Sequence, residues 1–79
     1  MSTIHDPRYL QLIERLIQIR NEKGITQTEL AKKLQKPQSY VSKTETLERR
    51  LDVIELMDWL EALNFDALSF FESYSKNHR

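Results

Sequence analysis

The sequence of 79 residues predicts an all-α fold, a compact bundle of five short helices. Residues that favour helix starts precede apolar residues at helical spacing, whereas the alternating pattern of strands is absent. The chain contains one glycine and two prolines, and the connectors between its apolar segments are short. Because no repeat or low-complexity segment occurs, we expect one domain over residues 1–79, with its core at about residues 7–65.

The first two helices have clear start signals. Asp6-Pro7 is typical of a helix start, because aspartate accepts from free backbone amides and proline suits the first turn. Gly24 favours a helix end, which predicts helix one over residues 7–23. Thr26 and Glu29 have the spacing of a capping box, so helix two is expected to begin there.

The later helices begin at a proline and at acidic residues. Pro37 cannot lie inside a helix, so it separates helix two from helix three. Asp52 and Glu55 repeat the capping-box spacing and predict the start of helix four. Asp66 is placed to cap a C-terminal helix at about residues 66–75.

Charge is unevenly divided along the chain, although its formal sum is zero. Residues 1–50 contain ten Lys or Arg against six acidic residues, whereas residues 51–79 contain two against six. A basic half can bind phosphates in a neutral protein, because counterion release depends on local contacts. The pattern favours nucleic-acid binding, and an ordinary mixed surface is the alternative.

Few residues are suited to catalysis or to metal binding. The chain has no cysteine, and its single glycine excludes a glycine-rich phosphate loop. His5 and His78 lie near opposite ends, without carboxylates at a supporting spacing. We therefore expect neither an enzyme nor a cofactor or metal site. Since no apolar run is long enough for a membrane segment and no export signal is visible, a cytoplasmic location is expected.

An ordered set of polar and apolar residues runs from Arg20 to about Phe65, more than half of the chain. It consists of Arg20, Gly24, Ile25, Gln27, Glu29-Leu30-Ala31, Leu34, Gln38-Ser39-Tyr40-Val41-Ser42-Lys43, Glu45, Arg49-Arg50-Leu51-Asp52-Val53 and Glu55-Leu56. At these spacings the set closely resembles the lambda-repressor-like XRE family, the Cro and phage-repressor type of helix-turn-helix. The resemblance implies that helix three enters the major groove of DNA while helix two lies across the backbone.

Helix three has one polar face, which is the predicted DNA-reading surface. Val41 is expected to point inward, opposite the residues expected to contact base edges, which are Gln38, Ser39, Ser42 and Lys43. The residues expected to contact phosphates are Gln27, Lys36, Tyr40, Arg49 and Arg50. A solvated polar face without DNA contacts is the alternative.

Arg20 and Glu45 match family positions that form a partly buried ion pair between helix one and the end of helix three. The resemblance implies that this pair positions helix three. Two unrelated surface charges are the alternative interpretation. If the pair is buried, the loss of one partner strands the other charge.

Four residues depart from the family pattern around helix three, namely Gln35, Pro37, Thr44 and Leu47. Gln35 stands at a position where glycine is usual, which predicts a tighter or reshaped turn before helix three. Thr44 replaces a large apolar residue, which predicts weaker anchorage of that helix. Leu47 replaces a loop glycine, which predicts that helix three continues towards Arg49.

Helix one carries more apolar surface than one core stripe requires. Its second stripe is Leu10, Ile13 and Ile17. The C-terminal helix offers aromatic partners, which are Phe70, Phe71 and Tyr74. Two covers for the stripe remain open: the C-terminal helix folds back on helix one, or the surplus forms a dimer surface. Trp59 and Leu60 are expected in the core.

The sequence thus predicts a small transcriptional regulator, a repressor that binds specific double-stranded DNA with helix three in the major groove. A homodimer on a palindromic operator is expected, with half-sites about 34 Å apart or a multiple of that. The alternative is an antitoxin or another protein-interaction module, whose partner is a protein such as a toxin and whose DNA binding is secondary or absent. A stand-alone regulator, an antitoxin and a restriction-system controller all fit this sequence.

Overall fold

The computed structural model describes residues 5–76, and over that range the chain forms five α-helices and no strand. They are α1 (Pro7–Glu22), α2 (Gln27–Leu34), α3 (Gln38–Glu45), α4 (Val53–Ala62) and α5 (Ala67–Lys76). The predicted all-α class and the five helices are confirmed. None of the helices in this range is long and apolar enough to cross a membrane.

Side-chain caps begin the helices where the sequence predicts them. The Asp6 carboxylate accepts from the backbone of α1 over 2.8 Å. The Thr26 hydroxyl accepts from the Glu29 amide over 3.0 Å, and the Glu29 carboxylate accepts from the Thr26 amide over 2.8 Å. Asp52 and Glu55 form the same reciprocal pair at α4, with distances of 2.7 and 3.0 Å. These bonds satisfy amides that a helix start leaves without partners.

The turn between α2 and α3 is not reshaped by the missing glycine. Gln35 takes the left-handed conformation itself, with φ 58° and ψ 42°. The Lys36 amide then donates to the Ala31 carbonyl over 2.9 Å, as at helix ends that carry glycine. Pro37 has an extended conformation and is the N-cap residue that precedes α3. The expected change of turn is wrong, because the backbone accepts the strain of a left-handed glutamine.

The α3 helix does not continue towards Arg49, so that expectation is also wrong. It ends at Glu45, and Leu47 adopts a left-handed φ of 67°. The Glu48 amide turns back to the Lys43 carbonyl over 2.8 Å. The Leu47 side chain packs against the core, and this contact accompanies the strained backbone.

The core contains residues from all five helices, and Trp59 is fully buried in it. Thr44 is also fully buried, although it is polar, and its hydroxyl donates to the Tyr40 carbonyl over 2.8 Å. This local bond satisfies the hydroxyl inside the protein. Thr44, expected from the sequence to weaken the anchorage of α3, is therefore part of the core.

The α5 helix packs against α1 and α4. Phe70 is fully buried, and Ile13 of the second apolar stripe is 2% exposed. The Tyr74 hydroxyl donates to the Arg8 carbonyl over 2.6 Å. Within the chain, the C-terminal helix therefore covers much of the surplus apolar surface of α1. Leu10, Ile17 and Tyr74 remain half-buried, and Phe71 is exposed.

Candidate nucleic-acid interface

The polar residues of α3 lie on one face of the helix, which we call the reading face (Gln38, Ser39, Ser42 and Lys43). Ser42 is half-buried and the other three are exposed. Val41 is fully buried on the opposite side. The core thus fixes one side of α3 and leaves its donors and acceptors available to solvent.

Gln38 is one end of a chain of two hydrogen bonds that leads through Gln27 to Glu45. Its Nε2 donates to Oε1 of Gln27, at the start of α2, over 2.7 Å. Nε2 of Gln27 donates in turn to Oε1 of Glu45 over 2.8 Å. We call these three residues the relay. No sequence pattern predicts these two bonds. The relay joins a residue predicted to contact a base, one predicted to contact a phosphate and one predicted to form an ion pair.

Arg20 and Glu45 are in contact, and both side chains are largely buried. Nε of Arg20 donates to Oε2 of Glu45 over 2.7 Å and Nη2 donates to Oε1 over 3.0 Å. Nη1 of Arg20 donates to the Ile25 carbonyl over 2.8 Å. The side chains are 11% and 6% exposed. The two parallel bonds define the position of the carboxylate relative to α1.

Tyr40 lies between the core and the cations beside α3. The indole Nε1 of Trp59 donates to its hydroxyl oxygen over 3.2 Å. The Arg49 guanidinium lies 4.6 Å and the Lys36 ammonium 5.4 Å from the centre of the Tyr40 ring. Partial burial raises the pKa of Tyr40 above its usual value. The hydroxyl therefore keeps its proton at neutral pH, and that proton can be donated to a phosphate.

The two neighbouring arginines have different surroundings. The Arg49 guanidinium pairs with the Glu55 carboxylate over 3.1 Å and is partly shielded by Tyr40. Arg50 is exposed and lines an open cleft that includes Arg8 and Tyr9 of α1. The structure thus places Arg50 near the N-terminus of α1. The proximity of Arg8 to Arg50 is not predicted from the sequence.

Chemistry other than binding has little support in the described residues. Across residues 5–76 no group of three or more His, Asp or Glu side chains could hold a metal ion. His5 is exposed. His78 lies outside the described residues. The arrangement around α3 offers hydrogen-bond donors, acceptors and cations, which are the groups that contact nucleic acids.

Comparisons with known proteins place the described helices among helix-turn-helix structures. A helix-turn-helix family profile matches residues 16–70. The chain is 45% identical to an XRE-family like protein from Pseudomonas syringae pv. tomato str. DC3000, with a TM-score of 0.90 and coverage of 98% of this chain and 94% of that one. It is 31% identical to the wild-type restriction-modification controller protein C.Esp1396I, with a TM-score of 0.76 and coverage of 96% and 94%. No curated protein sequence matches significantly.

Proposed function

Because this chain belongs to the XRE family of helix-turn-helix DNA-binding regulators, we propose that it is a sequence-specific repressor that inserts α3 into the major groove of double-stranded DNA. The observation that carries the proposal is the reading face, where Gln38, Ser39 and Lys43 are exposed together. An amide can bond adenine, an ammonium can reach guanine, and a serine is short enough to bring the helix close to the bases. Binding of this kind represses by occupying an operator in the cytoplasm.

The phosphate contacts are proposed around the reading face. Gln27 begins α2, where the free amides and the helix dipole favour an anion. Tyr40 and Lys36 lie together beside α3 and supply a hydroxyl proton and a positive charge. Arg50 is exposed, so it is available to a phosphate, whereas Arg49 must share its guanidinium with Glu55.

The experiment is a selection from random duplex DNA, followed by titration of the enriched site at several salt concentrations. We expect a palindrome with half-sites about 34 Å apart, and affinity that falls as salt rises. Gln38→Ala should lose about 1–3 kcal/mol on the best site and relax the preference at one base pair per half-site. Gln11→Ala, an exposed glutamine on α1, is the matched control. No binding even at about 50 mM salt would refute the proposal.

A homodimer is part of the proposal, and we place its surface on α4 and α5. A dimer surface on the second stripe of α1 is one of the two alternatives that the sequence leaves open, but Ile13 and Phe70 are already buried within one chain, so we do not propose it. The large apolar side chains that remain between 40% and 70% exposed are Val53, Ile54, Met57, Leu68 and Phe71. Val53 and Phe71 line one apolar groove, so α4 and α5 share this surface.

The exposed apolar residues offer a surface for pairing with a second copy. Together they present on the order of 500 Å² per protomer, or about 1,000 Å² for two copies, which is the small end of biological interfaces. Since α5 packs against α1 and α4, pairing there leaves the reading face of α3 open. Two-fold pairing also explains why a palindrome is expected.

Sedimentation equilibrium tests the dimer at concentrations where the protein binds DNA. Met57→Glu places a charge in the apolar surface and should give a monomer, whereas Glu14→Gln on the exposed side of α1 should remain a dimer. A monomeric wild-type protein would contradict this part of the proposal. So would a Met57→Glu variant that still dimerises.

A further inference from the structure

We infer that Glu45 determines which base Gln38 reads, although Glu45 itself makes no contact with DNA. It does so by fixing the direction of the relay. The inference rests on the proposed function, because it requires α3 in the major groove. Its structural basis is the pair of hydrogen bonds that run from Gln38 to Gln27 and from Gln27 to Glu45.

The direction of the relay is set at its buried end. Arg20 donates to both oxygens of Glu45, and the Glu45 side chain is only 6% exposed. A carboxylate paired with a guanidinium accepts hydrogen bonds and donates none. Whatever lies against the remaining acceptor site of Oε1 must therefore be a donor.

Gln27 meets this requirement with its amide nitrogen. Its Nε2 donates to Glu45 over 2.8 Å, which turns its Oε1 towards α3. That oxygen can only accept, so Gln38 must present its own Nε2, at 2.7 Å. If the Gln27 amide turned over, its oxygen would face the Glu45 carboxylate. Its Nε2 would then face Nε2 of Gln38, so that two donors would meet. The ion pair thus removes the two-fold freedom that an amide side chain otherwise has.

The remaining groups of Gln38 then select between purines. One N–H is used by Gln27, which leaves one N–H and the amide oxygen for DNA. Adenine offers one acceptor and one donor on its major-groove edge, and this pair matches. Guanine offers two acceptors, so the oxygen of Gln38 would face an oxygen of the base. The relay therefore favours adenine over guanine at the base pair that Gln38 contacts.

Glu45→Gln tests the relay with the smallest change of shape. A glutamine at this position can donate, so the Gln27 and Gln38 amides become free to turn over. We expect the ratio of affinities for adenine and guanine sites, measured by competition on paired duplexes, to fall about ten-fold. Gln27→Leu cuts the relay in its middle and should lower the same ratio, even if Glu45→Gln fails to fold.

A matched control separates specificity from stability. Leu60→Ala removes a core side chain of α4 outside the relay, so it should lower the melting temperature and keep the wild-type ratio. An unchanged ratio in a folded Glu45→Gln variant that binds DNA overturns the inference while leaving the proposed function intact. A wild-type preference for guanine at the Gln38 position overturns it as well. Wild-type protein without DNA affinity removes both proposals.

Discussion

Replacing Arg20 by methionine should destabilise the fold far more than the loss of a surface charge would. The change removes the two bonds to Glu45 and the bond to the Ile25 carbonyl. Because Glu45 is 6% exposed, its carboxylate would be left without a cation inside the protein. Stranding a buried charge costs about 3–5 kcal/mol. A domain of this length has about 4–12 kcal/mol of stability in total, so the loss is a large fraction of it.

Urea denaturation and thermal denaturation, each followed by circular dichroism, measure this loss. At about 4–8 °C per kcal/mol, the melting temperature should fall by at least about 12 °C. The control is the double variant Arg20→Met/Glu45→Leu, which carries no charge at either position and should recover at least about 1 kcal/mol of the loss. A cost of less than about 1 kcal/mol for Arg20→Met alone, as for exposed ion pairs, would show that the burial argument is wrong.

Two further predictions concern the helix ends. Gln35→Gly should stabilise the protein by about 1 kcal/mol in urea denaturation. Glycine adopts the left-handed backbone of this position without strain, and the exposed Gln35 side chain contributes no burial that would be lost. Gly24→Ala should destabilise the protein by about the same amount. The cost comes only from backbone strain at φ 68°, because an added Cβ meets no other atom within 4 Å. Equal stability of the two variants would contradict the strain argument. The Thr26 amide lowers the pKa of the Glu29 carboxylate below its ordinary 4.5. The stability from this ionised form is present above pH 4.5 and is lost as the pH falls through the lowered value, so the melting temperatures of wild type and Glu29→Gln should converge in acid. A constant difference between the two would contradict this.

The positions of the helices could be predicted because local chemistry sets them. Asp6, Thr26 and Asp52 each cap a helix within three residues of themselves, and Pro37 excludes helix by its own geometry. Such signals need no knowledge of the rest of the chain.

Other features depend on contacts between distant residues and were not predictable in the same way. Leu47 adopts a left-handed backbone while its side chain packs on the core, and this balance of strain against burial is invisible in the sequence. The apolar surplus of α1 had two possible covers because an internal helix and a second copy offer similar surfaces. The links of Gln27 to Gln38 and Glu45 span 11 and 18 residues and follow no periodic pattern.

The contact between Trp59 and Tyr40 gives the protein an internal optical probe. Trp59 is the only tryptophan in the chain, it is fully buried, and its indole nitrogen is 3.2 Å from the Tyr40 hydroxyl of α3. Its emission should therefore respond to a change in the surroundings of that hydroxyl. If Tyr40 contacts a phosphate as proposed, binding of duplex DNA should change the intrinsic fluorescence without an attached dye, and Tyr40→Phe should reduce that signal by removing the hydroxyl that contacts the indole.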